Sequence, residues 1–218
     1  MALWRRMGGD AYRVATAITG AVDAALASDA ATFQSAAVEL AALPVEQAGL
    51  VSGAVVRSLL EEQHPDGLDA EGIGKVLAHC YQGASRWLPH GSVAVEALMA
   101  VLLSALGIHE PGVTYAEITG PPSRTDADWV DPELSGTVVR AVPPGPVEYA
   151  RHAALLIADL LTAGLPSANV VNAGGVNADG VNAGVVNAEV LTVGGRRLDS
   201  HLDSAFGEIA RSETMEQP

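Results

Sequence analysis

The sequence predicts an all-α fold: a helical bundle or irregular helical array of six to seven helices, with two long loops. Apolar residues recur at helical spacing through most of the chain, and Pro, Gly, Ser and Asp divide the periodic segments at their ends. Hydrophobic residues make up 49% of the chain but aromatic residues only 4%, so the core must be built from small side chains. Closely packed helices suit such a core.

Residues 10–107 are predicted to form a helical core. Each of its helices begins or ends at a capping residue, a proline or a glycine. Five helices are predicted: from Asp10 to Ala27, from the Ser28-Asp29 cap to Leu43, from Pro44 to before Pro65, from Asp69 to about Leu88, and from the Ser92 cap to Gly107.

The fourth of these helices has the clearest periodicity. Its apolar stripe comprises Ile73, Val76, Leu77, Cys80, Ala84, Trp87 and Leu88. The opposite, outer side carries Lys75, His79, Gln82 and Arg86. Cys80 lies on this stripe, so we expect a buried, unreactive thiol. The fifth helix is apolar on most sides, which predicts a central place in the bundle.

A Pro/Gly-rich connection is predicted for residues 108–145. Within it, VTYAEIT and GTVVRAV could pair as a short β-hairpin. Residues 146–213 are predicted to form two further helices that pack on the same core. In the second, an amphipathic helix, Leu198, Leu202, Phe206 and Ile209 form one stripe. We expect this stripe to dock on the 146–163 helix, with Phe206 as its main anchor.

A flexible loop, residues 165–195, is predicted between these two helices. It contains four pentads that each begin Val-Asn-Ala, over residues 171–190. A period of five matches neither helix nor strand, and four pentads would make a single β-helical coil with nothing to stack on. The repeat is therefore interpreted as an expanded, dispensable loop.

Charge and composition narrow the choice of partners. The formal net charge is −14, which repels phosphate backbones and anionic lipids, so neither nucleic acid nor a membrane is expected as a partner. No apolar run reaches the ~20 residues that a bilayer span needs. Cys80 is the one cysteine, so no intramolecular disulfide can form. Asp10, Arg13 and Asp23 interrupt the apolar region that an export signal requires, which favours a cytoplasmic location.

Several catalytic signatures are missing from the sequence. It has no phosphate-binding loop, no His-Glu-x-x-His pair and no Gly-x-Ser-x-Gly elbow. The acidic stretch 61–72 resembles a calcium-binding loop. Aligning Gly72 with the glycine at position 6 of such a loop puts Gly67 at position 1 and Ala78 at position 12, and both positions need a carboxylate.

One constellation of His and carboxylate residues remains a candidate metal site. Glu148, His152 and Asp159 fall on one side of a helix, and Asp199, His201 and Asp203 follow in the last helix. If the two helices pack side by side, these groups could bind a metal between them. The alternative is that both sets are solvated faces.

The sequence therefore favours a non-enzymatic cytoplasmic helical protein that acts by protein–protein association, with another protein or with itself. No cofactor is expected, and an enzymatic role stays open. The alternative function is a metal-dependent enzyme with its His/carboxylate site between the last two helices.

Overall fold

Seven α-helices account for most of the residues that the structure describes. A computed structural model describes residues 2–6, 8–107, 144–163 and 183–215. A 3-10 turn at Leu3–Arg6 precedes the helices α1 (Gly9–Leu26), α2 (Ala30–Ala41), α3 (Val45–Gln63), α4 (Ala70–Ala84), α5 (Val95–Ala105), α6 (Pro146–Ala163) and α7 (Ala183–Met215). No strand occurs within those ranges, so the predicted all-α class is confirmed. The β-hairpin predicted within 108–145 lies outside the described residues.

Side-chain caps set the beginnings of α2 and α4 as predicted. The Asp29 carboxylate accepts hydrogen bonds from the Ala31 and Thr32 backbone N–H groups, each at 3.1 Å. The Asp69 carboxylate accepts one from Gly72 at 2.8 Å. These bonds satisfy N–H groups that the first turn of a helix leaves without partners. The predicted stop at Gly107 is also confirmed, because its φ of +72° is a left-handed conformation that ends α5.

The predicted Ser92 cap of α5 is wrong. Helix α5 begins at Val95, and its N-cap residue is Ala94, which has no polar side chain. The backbone N–H of Ala94 instead donates to the His152 imidazole of α6. A residue distant in sequence therefore supplies the partner that a local serine was expected to provide.

The central helix is α6 rather than α5. It packs against α1, α2, α3, α4, α5 and α7, whereas α5 packs against α3, α4 and α6. Ala153, Leu156, Ile157 and Leu161 of α6 are completely buried. The apolar run of α5 was expected to be central, but α5 leaves Val95 exposed at its start.

Helix α7 is longer than predicted. It begins at Ala183, within the third pentad, so the loop predicted for 165–195 is helical from that residue onward. Residues 183–190 of the repeat therefore belong to α7, and residues 171–182 lie outside the described residues.

The apolar stripe of α7 is buried as predicted, but its main neighbours differ. Leu198, Leu202 and Phe206 are buried in the common core. The helix packs more extensively against α3 and α1 than against α6. Docking on the 146–163 helix alone was therefore an incomplete prediction, because α7 closes the bundle over three helices.

The predicted inward face of α4 is confirmed. Leu77, Cys80 and Ala84 are buried, and Ile73 and Val76 pack at the margin of the core. The helix ends at Ala84 rather than at about Leu88, and Leu88 is buried just beyond its end. Burial, with the negative charge of Asp159 nearby, raises the pKa of the Cys80 thiol well above its usual value. The thiol is therefore protonated and enclosed at neutral pH, which makes it a poor nucleophile. No described helix is long and apolar enough to cross a membrane.

Candidate functional site

Two of the predicted metal-binding carboxylates bind the N-terminal 3-10 turn instead. Asp199 Oδ1 accepts a hydrogen bond from the Trp4 indole Nε1 at 3.0 Å, and Asp203 Oδ1 accepts one from the Trp4 backbone N–H at 2.8 Å. The two carboxylates are one helical turn apart on α7, so both face the same segment. The Trp4 ring is buried, with 3% of its surface exposed.

Arg5 adds a cation beside these carboxylates. Its guanidinium lies 3.3 Å from both oxygens of Asp199 and 4.7 Å from the centre of the Trp4 ring. Burial and the negative charge of Asp199 raise the pKa of Asp23 on α1, against the opposing effect of Arg5. The cluster thus joins α1, α7 and the N-terminal turn through charge and hydrogen bonds.

His152 is buried and makes two hydrogen bonds to the backbone. Its Nδ1 lies 2.6 Å from the Glu148 carbonyl oxygen, and its Nε2 accepts from the Ala94 N–H at 3.1 Å. A carbonyl can only accept, so Nδ1 carries the proton and the ring is neutral. Burial lowers the pKa of His152. With both ring nitrogens occupied, His152 has no lone pair available for a metal.

Glu148 does not pair with His152 through its carboxylate, although the spacing suggested it. Its Oε2 accepts a hydrogen bond from the Gly145 N–H at 3.3 Å. This is one half of a capping box at the start of α6. The predicted proximity of the two residues is therefore real, but the backbone carbonyl of Glu148 is the atom that His152 contacts.

Asp159 pairs with a residue that the sequence had placed on the outer face of α4. Its oxygens lie 2.9 and 3.0 Å from His79 Nδ1. Burial raises the pKa of Asp159, and the hydrogen bond from His79 opposes that effect. The His79 side chain itself remains 67% exposed. This pair links α4 to α6 at the surface of the bundle.

His201 belongs to a polar cluster between α3 and α7. Its Nδ1 lies 2.9 Å from Ser58 Oγ, and its Nε2 donates to Glu62 Oε2 at 2.9 Å. Arg197 pairs with the same carboxylate at 3.2 Å. Burial lowers the pKa of His201, and the Glu62 charge opposes this effect. Burial alone would raise the pKa of Glu62, but its bonds to Arg197 and His201 outweigh burial and lower it.

The six predicted metal candidates are consequently not brought together. Their partners are the N-terminal turn, the backbone at the starts of α5 and α6, His79, and the Ser58–Glu62 face of α3. In the ranges that the structure describes, no three His, Cys, Asp or Glu side chains are grouped so as to hold a metal ion. These polar residues link helices to one another.

A concave surface lies between α3, α5 and α6, and we call it the α3 groove. It has a volume of about 470 Å³. The residues that line it are Val45, Glu46, Gly49, Leu50, Gly53, Ala54, Arg57, Ser104, Ala105 and Tyr149. A smaller depression shares Val45, Gly49 and Tyr149 with it and extends it toward Leu40 and Pro146.

Two glycines one turn apart form the floor of the α3 groove. A Cβ atom at Gly49 would meet nothing within 4 Å, and one at Gly53 would meet only the Ala105 Cα at 3.8 Å. Two large apolar side chains remain exposed beside this floor: Leu50, with 62% of its surface accessible, and Val45, with 58%. Apolar side chains beside a concave surface are characteristic of interaction sites.

Few polar groups point into the α3 groove. The Tyr149 hydroxyl hydrogen-bonds with Ser104, and burial raises the pKa of this tyrosine. The guanidinium of Arg57 pairs with Glu208 of α7 at 3.5 Å. A small-molecule site uses a small number of polar groups to orient its ligand. In the α3 groove the polar groups of Tyr149 and Arg57 are instead paired with other protein side chains.

The sequence analysis found neither the α3 groove nor the contacts of the N-terminal turn with Asp199 and Asp203. The spacing Gly49-x-x-x-Gly53 beside Leu50 was a usable signal for the groove, because it places two missing side chains on one helix face. The signal for the N-terminal contacts was weaker, because the aromatic Trp4 and the cationic Arg5 lie far in sequence from the acidic pair Asp199 and Asp203. No protein-family model, curated protein or solved structure matches the chain.

Proposed function

We propose that the protein is a non-enzymatic helical protein that acts by binding another protein, and that the α3 groove is its binding site. The exposure of Leu50 beside the glycine floor carries this proposal. A Leu side chain that is 62% exposed next to an open channel loses unfavourable contact with water when a partner covers it. The pairing of Tyr149 with Ser104 and of Arg57 with Glu208 supports a protein ligand over a small molecule, because polar groups that could orient a small molecule are already engaged.

A cytoplasmic location is part of the proposal. The chain contains a single cysteine, and that cysteine is buried, so the fold does not depend on an oxidising compartment. Fractionation of cells that express the full chain tests this part by itself. Recovery with cytoplasmic markers is expected, and recovery in a secreted or membrane fraction contradicts it.

The binding proposal is tested with one blocking variant and one matched control. Gly49→Leu adds a side chain to the α3 groove, and its Cβ has no atom within 4 Å. Gly20→Leu makes the same change at an exposed helical glycine of α1, where the added Cβ also meets nothing. Both variants gain helix propensity, about 1 kcal/mol for replacing a helical glycine. Neither should unfold the protein.

Tagged wild-type and variant proteins are then used to capture partners from extracts of cells that express the chain. We expect the wild type and Gly20→Leu to capture a protein that Gly49→Leu does not capture. The purified partner should show the same difference in binding to the three proteins. Identical capture by all three proteins contradicts the proposed site. Near-stoichiometric iron, manganese or zinc in untagged protein contradicts the non-enzymatic assignment.

A further inference from the structure

We infer that the α3 groove receives an amphipathic α-helix with basic residues beside its apolar face. This inference rests on the proposed function and specifies the chemistry of the partner. It follows from the length of the groove, its floor and the charge of the chain.

The dimensions of the α3 groove fit a helix. Its lining residues on α3 extend from Val45 to Arg57, a separation of twelve positions that spans about 18 Å at about 1.5 Å per residue. A docked helix would cover about three turns over this distance. Docking of an apolar helix face into a groove is one of the recurrent modes of peptide recognition.

The glycine floor determines how closely that helix can approach. Gly49 and Gly53 are one turn apart, and neither projects a side chain into the groove that both line. Apolar side chains of the partner can therefore approach this floor and contact Leu50 and Tyr149, which also line the groove. Helices whose contact surfaces carry small residues pack at the short end of the usual range of about 8–10 Å.

Charge favours a basic partner over a second copy of the chain. The chain has 26 acidic and 12 basic residues, a net charge of −14. Two copies would repel each other, whereas a basic helix would be attracted. At the groove, Glu46 lines one end, and the charge of Arg57 at the other end is paired with Glu208.

Peptide binding tests this chemistry directly. The probe is a labelled peptide of about 18 residues, long enough for helix formation, with Leu and Ala on one face and Lys beside them. Control peptides carry Glu in place of Lys, or the same residues in an order without an apolar face. Fluorescence anisotropy is measured with the full-length wild type, Gly49→Leu and Gly20→Leu.

We expect the basic amphipathic peptide to bind the wild type and Gly20→Leu, and to bind Gly49→Leu about tenfold or more weakly. Both control peptides should bind the wild type about tenfold or more weakly than the probe. Equal binding to Gly49→Leu would show general attraction to an acidic surface and overturn the inference. Stronger binding of the Glu peptide than of the Lys peptide would overturn the inference that the partner helix is basic.

Other occupants give separate results. Dimerisation of the wild type in sedimentation that Gly49→Leu abolishes would assign the groove to a second copy. Proteolytic protection of residues 108–143 that is lost in Gly49→Leu would assign it to the chain itself. Either result overturns this inference. Groove-dependent capture of a partner without a basic helix overturns the inference but supports the proposed function.

Discussion

Trp4 and Asp199 are 195 residues apart in the chain, yet the Trp4 indole donates a hydrogen bond to the Asp199 carboxylate at 3.0 Å. Asp203, one turn further along α7, accepts from the Trp4 backbone. The N-terminal turn is therefore an integral part of the fold. The acidic pair in the last helix has a structural partner that its sequence neighbours do not reveal.

Removal of the Trp4 ring should destabilise the protein strongly. Trp4→Ala should cost about 3–5 kcal/mol, because it deletes a buried aromatic side chain. Trp4→Phe keeps a ring but loses the hydrogen bond to Asp199, and should cost about 1–2 kcal/mol. Chemical denaturation measures both, with the exposed Arg6→Ala as the control expected within about 0.5 kcal/mol. A Trp4→Ala cost as small as that of the control would show that the turn is not docked in solution.

Phe206→Ala should destabilise the isolated protein by about 3–5 kcal/mol. Phe206 is 5% exposed and packs in the common core where α7 closes the bundle. For a chain of this size each 1 kcal/mol lowers Tm by about 2–4 °C, so calorimetry suffices. A loss below about 0.5 kcal/mol would mean that α7 is undocked and its stripe is free for a partner.

The buried histidines should make the protein less stable as the pH falls. Burial lowers the pKa of His152 and His201 in the folded state, so below the unfolded value of 6.5 the unfolded chain binds more protons. Stability present above pH 6.5 is therefore lost on acidification, by up to about 1.4 kcal/mol per pH unit for each proton.

A substitution isolates the contribution of His152. Unfolding free energies of the wild type and His152→Gln are compared at about pH 7.5 and about pH 5, with the exposed His90→Gln as the control. The change of unfolding free energy with pH should be smaller for His152→Gln than for the wild type, and His90→Gln should match the wild type. Equal slopes in all three proteins would mean that His152 is protonated in the fold as readily as in the unfolded chain.

Cys80 should react slowly with a thiol reagent in the native protein and rapidly after denaturation. Its side chain is 2% exposed, and burial raises the pKa of the thiol, so both access and thiolate population are low. Ellman-type labelling in buffer and in denaturant measures the two rates. Rapid native labelling at neutral pH would place the thiol at the surface and reverse the orientation of α4.

Local patterns made much of the fold predictable. Asp29 and Asp69 cap the helices that their sequence positions indicated, and the periodicity of α4 correctly placed Cys80 inside. These features depend on residues within one or two turns, so sequence alone reveals them.

The polar contacts were not predictable because they depend on the packing of distant helices. His152 was correctly placed near Glu148, but its inward direction makes it bond to a backbone carbonyl and to Ala94 of another helix. His79 was placed on the outer face of α4, where it is exposed, yet it reaches Asp159 of α6. The α3 groove likewise exists only after three helices have packed.

The most direct test of the α3 groove as the binding site is photo-crosslinking from two exposed apolar positions. A photoreactive phenylalanine analogue replaces Leu50, 62% exposed at the groove, or Tyr81, 40% exposed on α4 and outside the groove. Each full-length protein is irradiated in the cells that express it and, separately, with the purified basic amphipathic peptide. The proposed binding site predicts a discrete crosslinked product from position 50 and none from position 81. Equal products from both positions, or a product from position 81 alone, would contradict it.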